Sequence, residues 1–173
     1  MAAVAATGGQ IRVRGIIPKH MDCITAKLQE MGVEVEEQDD DLIVRRSGEL
    51  RHANVKTLPY PGFPTDMQVQ MLALLSVSEG TGVVVENVFE NRFTHAGDLN
   101  RMGARILCSG RTAVVRGVPE LYGARVTARD LRGGAALTLA GLKAQGETQV
   151  DGAELIDRGY EHLEDKLCSL GAE

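Results

Sequence analysis

The sequence predicts an α/β fold in which one helix–strand unit is repeated about three times along 173 residues. The first observation is a helical stretch that recurs with the same ending, because amphipathic segments close at Gly32, Gly103 and Gly171. These glycines lie 71 and 68 residues apart. Glycine readily adopts the left-handed conformation that ends a helix, so the regular spacing indicates one repeated element.

A second similarity links the two later units. Asp66 and Asp130 each open a helical stretch, and Arg92 and Arg158 each follow the strand that comes after it. The aspartates lie 64 residues apart and the arginines 66, so the two units keep nearly the same register. Such self-similarity predicts a pseudo-threefold arrangement within one lobe that spans residues 1–173. The expected units span residues 10–47, which lacks the front half, 64–117 and 124–173.

The composition favours one globular domain and excludes several classes of protein. With 43% apolar and 25% charged residues, the chain can bury a substantial core. No apolar run approaches the roughly 20 residues that a membrane helix needs. The net charge of −5 argues against a large basic surface for nucleic acid. We therefore expect neither a membrane nor a nucleic-acid partner.

The cysteines and histidines lack the spacing of a metal site. The three cysteines are far apart and form no CxxC pair, which predicts reduced, buried thiols in a cytoplasmic protein. The four histidines are expected at the surface or in satisfied hydrogen bonds. We expect no metal and no organic cofactor. These residues are Cys23, Cys108 and Cys168, and His20, His52, His95 and His162.

The first third of the chain predicts a frayed end followed by a compact helix–strand unit. Residues 1–9 are rich in alanine and glycine, so we expect them to fray. Alternating apolar residues predict a strand over 10–15 and two more over 33–37 and 41–45. Between them, helical periodicity over 20–31 ends at the first of the repeated glycines.

The remainder predicts a loop and two further units. Prolines exclude regular structure over 58–64, and Thr65 with Gln68 fits a capping box that starts the next helix. The same periodicities predict the later elements. The helices are expected over 65–78, 95–102, 131–144 and 159–170, and the strands over 82–86, 104–108, 112–116, 124–127 and 147–151.

Asp66 falls in the first turn of the helix after the proline-rich loop. The positive end of a helix favours a carboxylate there, so dipole complementarity alone explains the residue. The alternative is a preorganised carboxylate that points from the helix end towards a substrate hydroxyl. Residue type does not decide between these two interpretations.

Five segments closely resemble the UDP-N-acetylglucosamine enolpyruvyl transferase family. The resemblance covers residues 10 to 173 in the same order and spacing. It implies an inside-out α/β barrel with two lobes, each of three units with helices inside, of which this chain is one lobe. The segments are Phe63–Gln68, Val88–Phe93, Arg101–Ala104, Asp130–Arg132 and Ile156–Glu161.

The resemblance also implies a reaction and roles for individual residues. Members of the family transfer the enolpyruvyl group of phosphoenolpyruvate to the 3-hydroxyl of UDP-N-acetylglucosamine and release phosphate, in peptidoglycan synthesis. By position, Asp66 contacts that hydroxyl and is the proposed base. The position of Val88 contacts the nucleotide sugar through its backbone, with Phe89 alongside. The position of Arg158 binds phosphoenolpyruvate when the lobes close.

Three more charged residues match positions near the cleft between the lobes. They are Arg92, Asp130 and Arg132. A structural ion pair is an alternative role for Arg92, and Asp130 fits a helix cap equally well. Without the resemblance, Val88 and Phe89 would be interpreted as core or strand-end residues.

The sequence departs from the family in length. The other lobe, with its Lys-Asn pair, its mobile catalytic loop and further arginines, has no counterpart here, so we expect no turnover by this chain alone. The missing lobe is then the expected partner, and an unpaired sheet edge is expected. One alternative is a non-catalytic binding or regulatory module. A less favoured one is a lobe of 5-enolpyruvylshikimate-3-phosphate synthase.

Overall fold

The computed structural model describes residues 1–172, and over that range helices and strands alternate along the chain. The helices are α1 (Ala2–Thr7), α2 (Asp22–Glu30), α3 (Gln68–Ser76), α4 (Ala96–Arg101), α5 (Leu131–Lys143), α6 (Glu154–Asp157) and α7 (Leu163–Ser169). The strands are β1 (Gly9–Val13), β2 (Glu34–Gln38), β3 (Asp41–Arg46), β4 (Val55–Lys56), β5 (Thr81–Val85), β6 (Arg105–Ser109), β7 (Thr112–Arg116), β8 (Arg125–Thr127) and β9 (Gln149–Asp151).

The strands form three sheets that follow one another along the chain. The first has the order β1-β3-β2 and is antiparallel throughout. The second has the order β4-β5-β7-β6, in which β4 and β5 are parallel and the remaining pairs are antiparallel. The third consists of the parallel pair β8 and β9. Each sheet therefore draws its strands from one continuous part of the sequence.

Helices α1, α3 and α5 pack against one another at the centre. All nine residues of α3 are buried, because α1 and α5 flank it and β5 and β7 cover another side. A helix that is apolar on nearly every side is stable only when other elements surround it in this way. The predicted α/β lobe with inner helices is confirmed.

Residues 1–9 differ from the prediction. Instead of fraying, residues 2–7 form α1, and Val4, Ala5 and Ala6 are buried in the core. The alanines have high helix propensity and small side chains, so this helix packs closely against α3 and α5. The prediction of a frayed end is wrong because burial in the tertiary structure stabilises a segment too short to be helical alone.

The last predicted helix, over 159–170, begins later than expected, and the short helix α6 that precedes it is not among the predicted elements. Helix α6 ends at Asp157, and α7 begins at Leu163 after His162, which has a left-handed backbone with φ of 48°. Strand β4 was not predicted, because two residues are too short to show an alternating pattern. The other helices and strands lie close to the predicted ranges.

The predicted burial of the cysteines is also wrong. Cys23 is half-buried and packs against the core, whereas Cys108 and Cys168 are exposed, and all three thiols are free. Cys108 lies in β6 at the edge of the second sheet, where part of each strand faces outwards. Across residues 1–172, no helix combines the length and apolar character needed to cross a membrane.

Candidate functional site

Asp66 lies between two arginines at the surface. Arg92 donates a hydrogen bond from Nη2 to Oδ1 of Asp66 at 3.0 Å, and Arg132 donates from Nη2 to Oδ2 at 2.5 Å. Each carboxylate oxygen therefore has its own guanidinium partner. The Asp66 side chain remains 51% exposed, so the cluster is open to solvent and to a ligand. Ion pairs of this kind fix the orientation of the carboxylate.

Helix starts bring these residues together. Asp66 belongs to a short 3-10 helix, Thr65–Met67, that leads into α3, and Arg132 lies in the first turn of α5. Because α3 and α5 pack side by side, their starts meet at one end of the lobe. Arg92 comes from the segment after β5. Arg92 thus forms an ion pair, and its partner is Asp66, the candidate base.

Asp130 caps α5. Its Oδ1 accepts hydrogen bonds from the backbone N–H of Arg132 at 2.9 Å and of Gly133 at 2.8 Å. A cap of this kind satisfies donors that have no partner within the helix. The side chain therefore fixes the first turn from which the guanidinium of Arg132 reaches Asp66. Asp130 therefore acts as the N-cap of α5 in this structure.

The predicted capping box at Thr65 does not form. The residue before the 3-10 helix is Pro64, and no side chain caps that helix. Thr65 instead donates its hydroxyl to Oε2 of Glu86 at 2.8 Å. The side-chain amide of Gln68 is buried and has no hydrogen-bond partner within residues 1–172. A distant carboxylate competes successfully for the threonine hydroxyl, which local sequence cannot show.

Glu86 is a functional candidate that the sequence analysis missed. It is only 1% exposed, yet it accepts four hydrogen bonds. Burial alone would raise the pKa of Glu86, but hydrogen bonds from Phe89, Thr57, Val88 and Thr65 outweigh it, and the pKa lies below its ordinary value. The available signal was an acidic residue directly after the apolar strand β5. A buried and ionised carboxylate needs such a set of donors.

Val88 and Phe89 lie in the segment after β5, with 37% and 49% exposure. They are strand-end residues rather than core residues. The Phe89 ring lies beneath the guanidinium of Arg92, with 4.9 Å between Cζ and the ring centroid. This cation–π contact stabilises the position of the Arg92 guanidinium. Phe89 therefore contributes to the position of Arg92 beside Asp66.

His95 differs from the expectation for the histidines. It is 4% exposed, and neither ring nitrogen has a hydrogen-bond partner within the described part of the chain. Burial lowers its pKa to about 4, with opposing contributions from the charges of Asp130 and Asp98 and a further lowering from Arg92. The imidazole is consequently neutral at neutral pH. It is a buried, unsatisfied group beside the charged cluster.

Arg158 does not join the cluster. It lies at the end of α6 and is exposed, and its side chain makes no hydrogen bond or ion pair with another residue between 1 and 172. Nearby, the Tyr160 hydroxyl accepts a hydrogen bond from Nε2 of Gln70 in α3 at 2.8 Å. Burial raises the pKa of Tyr160, and the charge of Arg132 opposes that shift. The guanidinium of Arg158 therefore projects from a segment anchored to α3.

The candidate metal ligands in the described region are His162, Glu164 and Asp165. Their ligand atoms lie within 4.8 Å of one another, and all three side chains are exposed at the start of α7. Acidic residues are common in the first turn of a helix, because they complement its dipole. This cluster therefore has a simpler explanation than metal binding.

The lobe combines inner helices and outer sheets with a carboxylate that two arginines bind near the starts of α3 and α5. Residues 1–167 match the family model described as EPSP synthase (3-phosphoshikimate 1-carboxyvinyltransferase). The chain belongs to this family. The structure of the enolpyruvyl transferase NikO from Streptomyces tendae superposes with a TM-score of 0.85 at 26% identity, over 99% of this chain and 42% of that one.

Relatives within the family bear the name UDP-N-acetylglucosamine 1-carboxyvinyltransferase. The protein from Desulfofundulus thermocisternus is 58% identical over 99% of this chain, which spans 71% of that relative. A relative from Symbiobacterium thermophilum is 55% identical over 99% of this chain, and this chain covers 39% of its length. The structure of EPSP synthase from Acinetobacter baumannii shares the fold, with a TM-score of 0.66, 20% identity and coverage of 86% of this chain and 37% of that one. The chain thus spans well under half the length of several relatives.

Proposed function

We propose that this chain is one lobe of a cytoplasmic enzyme that transfers the enolpyruvyl group of phosphoenolpyruvate to the 3-hydroxyl of UDP-N-acetylglucosamine, releasing phosphate. The reaction would supply a peptidoglycan precursor. The observation that carries the proposal is Asp66, exposed and held between Arg92 and Arg132. The names of relatives at 58% and 55% identity support the choice of acceptor.

The arginine cluster suits this chemistry. Phosphoenolpyruvate carries a carboxylate and a phosphate, and guanidinium groups bind such anions through several charge-assisted hydrogen bonds. Arg92 and Arg132 each contact Asp66 through Nη2, and the other nitrogen atoms of both groups remain as donors. In the proposed mechanism, these donors bind developing negative charge while Asp66 removes the proton of the sugar hydroxyl.

The remaining site residues have supporting roles in the proposal. Val88, through its backbone, and the ring of Phe89 contact the nucleotide sugar beside Asp66, and both residues are exposed. Arg158, which projects without a partner among the described residues, binds phosphoenolpyruvate when the remainder of the enzyme closes over this lobe. That remainder supplies the other substrate contacts and is the proposed partner. The mechanism requires neither a metal nor an organic cofactor.

A phosphate-release assay tests the proposal. Phosphoenolpyruvate and UDP-N-acetylglucosamine are supplied to the chain alone and to the chain mixed with a polypeptide that spans the part of the relatives it does not match. We expect phosphate release only in the mixture, and only with both substrates. Absence of release from a mixture that forms a stable complex would contradict the proposal and favour a non-catalytic binding module.

A second acceptor belongs in the same assay. The matching family model is described as 3-phosphoshikimate 1-carboxyvinyltransferase, and 3-phosphoshikimate, like the nucleotide sugar, carries a ring hydroxyl that could accept the enolpyruvyl group. The names of the more similar relatives favour the nucleotide sugar. We expect phosphate release with UDP-N-acetylglucosamine and none with 3-phosphoshikimate. The reverse result would assign the chain to the shikimate branch of the family.

A further inference from the structure

We propose that Glu86 is a positioning residue that holds the sugar-binding segment Val88–Phe89 and the base Asp66 in a fixed relation to each other. The inference rests on the proposed function above. Glu86 itself is buried and touches no substrate position. It acts through hydrogen bonds to two separate parts of the site, and the charge of the carboxylate strengthens all of them.

The first set of hydrogen bonds fixes the segment after β5. Oε1 of Glu86 accepts from the backbone N–H of Val88 at 2.8 Å and of Phe89 at 3.1 Å. It also accepts from the hydroxyl of Thr57 at 2.8 Å. That hydroxyl in turn accepts from the backbone N–H of Asn87 at 2.8 Å, so its own proton is directed to Glu86. Three consecutive amides of the segment are thereby fixed, directly or through Thr57.

The second oxygen fixes the segment that carries the base. Oε2 of Glu86 accepts from the hydroxyl of Thr65 at 2.8 Å. Thr65 begins the 3-10 helix of which Asp66 is the second residue. No side chain caps this helix, and the contact with Glu86 anchors its first residue. The carboxylate of Glu86 therefore links two segments: Oε1 binds the segment after β5, and Oε2 binds the segment that carries Asp66.

The surface contacts close a ring around the site. Phe89 lies under the guanidinium of Arg92, with 4.9 Å between the ring centroid and Cζ. Arg92 donates to Asp66 at 3.0 Å. A path thus runs from Glu86 through Phe89, Arg92 and Asp66 and returns through Thr65. A shift of the buried carboxylate would displace both the base and the backbone proposed to contact the sugar.

The charge of Glu86 matters as well as its shape. All four neighbouring groups donate to it, and the backbone N–H groups cannot reverse direction. A glutamine has the same shape but offers one acceptor oxygen and an amide nitrogen that only donates. In Glu86→Gln the amide oxygen can still face Thr57, Val88 and Phe89, and the amide nitrogen can donate to the hydroxyl of Thr65, which reverses its direction. The variant therefore keeps the shape of the network and removes the charge. Hydrogen bonds to a charged group are stronger than those to a neutral one. Loss of the charge therefore weakens the contacts that position Val88, Phe89 and Thr65.

Kinetics of the complemented enzyme test the proposal. We expect Glu86→Gln to raise the KM for UDP-N-acetylglucosamine by about tenfold or more, the effect of losing a charge-assisted hydrogen bond. We expect the KM for phosphoenolpyruvate to change less than about twofold, because the arginines remain. Thr65→Val removes only the second-oxygen contact and should lower kcat while leaving the KM for the sugar less affected. It also provides a test if Glu86→Gln does not fold.

Asp98→Asn is the matched control. Asp98 is likewise a buried carboxylate, 2% exposed, and it pairs with Arg101 and Arg129, which are not members of the ring. This variant should lose stability without changing the ratio of the two KM values. Equal changes in that ratio for Glu86→Gln and Asp98→Asn would show a general effect of burial and overturn the proposal. An unchanged ratio in folded, active Glu86→Gln would overturn it directly.

Amide hydrogen exchange separates this proposal from the proposed function. In the chain itself, Glu86→Gln should speed exchange at the amides of Val88 and Phe89, and Asp98→Asn should not. Unchanged exchange at these amides would overturn the positioning role whether or not the protein is active. An inactive wild-type mixture with faster exchange in Glu86→Gln would contradict the proposed function and leave Glu86 as the anchor of this segment.

Discussion

At Asp66, each carboxylate oxygen is bound by the guanidinium group of a different arginine. An ion pair of this kind at an exposed position contributes little to folding, typically below about 1 kcal/mol. The arrangement is therefore better explained by the orientation of a charge than by stability. The role of Asp66 as a base stays a prediction.

The first prediction concerns the role of Asp66 as base. In the complemented enzyme, Asp66→Asn should lower kcat by about 10²- to 10⁴-fold, the usual contribution of a general base. Binding of UDP-N-acetylglucosamine, measured by calorimetry, should change much less. Glu90→Gln is the control, because Glu90 is also an exposed carboxylate paired with an arginine, Arg111, at 2.9 Å. Wild-type turnover in folded Asp66→Asn would reduce Asp66 to an ion-pair partner.

The second prediction concerns His95 and pH. Its pKa is lowered from 6.5 to about 4 in the folded protein, so between these values the unfolded chain binds a proton that the folded one does not. Stability should therefore fall as the pH drops from 6.5 towards 4, by about 3 kcal/mol at most from this group. His95→Leu should flatten that part of the curve in urea unfolding. The exposed His52, changed to glutamine, should leave it unaltered.

At the scale of elements, the close approach of α5 to its neighbours depends on Gly134. A Cβ atom there would lie 2.5 Å from Cγ1 of Ile156 and 2.8 Å from Cβ of Ala128. The third prediction is that Gly134→Ala destabilises the fold by about 1–3 kcal/mol through overpacking, although alanine favours helices. Gly97→Ala in α4 is the control, because nothing lies within 4 Å of its Cβ position.

Urea unfolding measures both glycine variants. Gly97→Ala should be neutral or should stabilise by up to about 1 kcal/mol, because it lowers the entropy of the unfolded chain without a clash. Opposite signs for the two substitutions would show that packing outweighs helix propensity at Gly134. A stabilised Gly134→Ala protein would mean that α5 can move away from Ile156 at little cost.

At the scale of the whole molecule, the third sheet is the least complete. It pairs only β8 and β9 within residues 1–172, whereas the second sheet has four strands. A groove of about 790 Å³ runs past the edges of β1 and β9, with Ile11, Val150 and Leu167 among its lining residues. Two-stranded sheets are marginal in water, and open strand edges pair readily.

The fourth prediction follows from that open edge. The 173-residue chain alone should self-associate in a concentration-dependent way or unfold at a low temperature. Sedimentation across a concentration series and a thermal melt measure these properties. A monodisperse monomer with a two-state melt above about 65 °C, the upper end for mesophilic domains, would contradict the prediction. Addition of the complementing polypeptide should reduce the self-association.

The sequence by itself determined most of the helices and strands, but not β4 or α6. Apolar periodicity, terminal glycines such as Gly32 and Gly103, and the prolines before Thr65 are local signals, and they act over a few residues. These local signals do not predict the helix of residues 2–7, because buried contacts with α3 and α5 stabilise it. The division into three repeat units, and the roles of the site residues, stay predictions.

Only the tertiary structure decided how the site is assembled. Asp66 meets Arg92 and Arg132 across 26 and 66 residues of chain, and Glu86 reaches Thr57 across 29. The sequence pattern marked Asp66 and the arginines but contained no sign that the hydroxyl of Thr65 would turn to Glu86. Local propensity acts between neighbours along the chain, whereas donors and charges find their partners through space, and packing of the helices sets which partners come within reach.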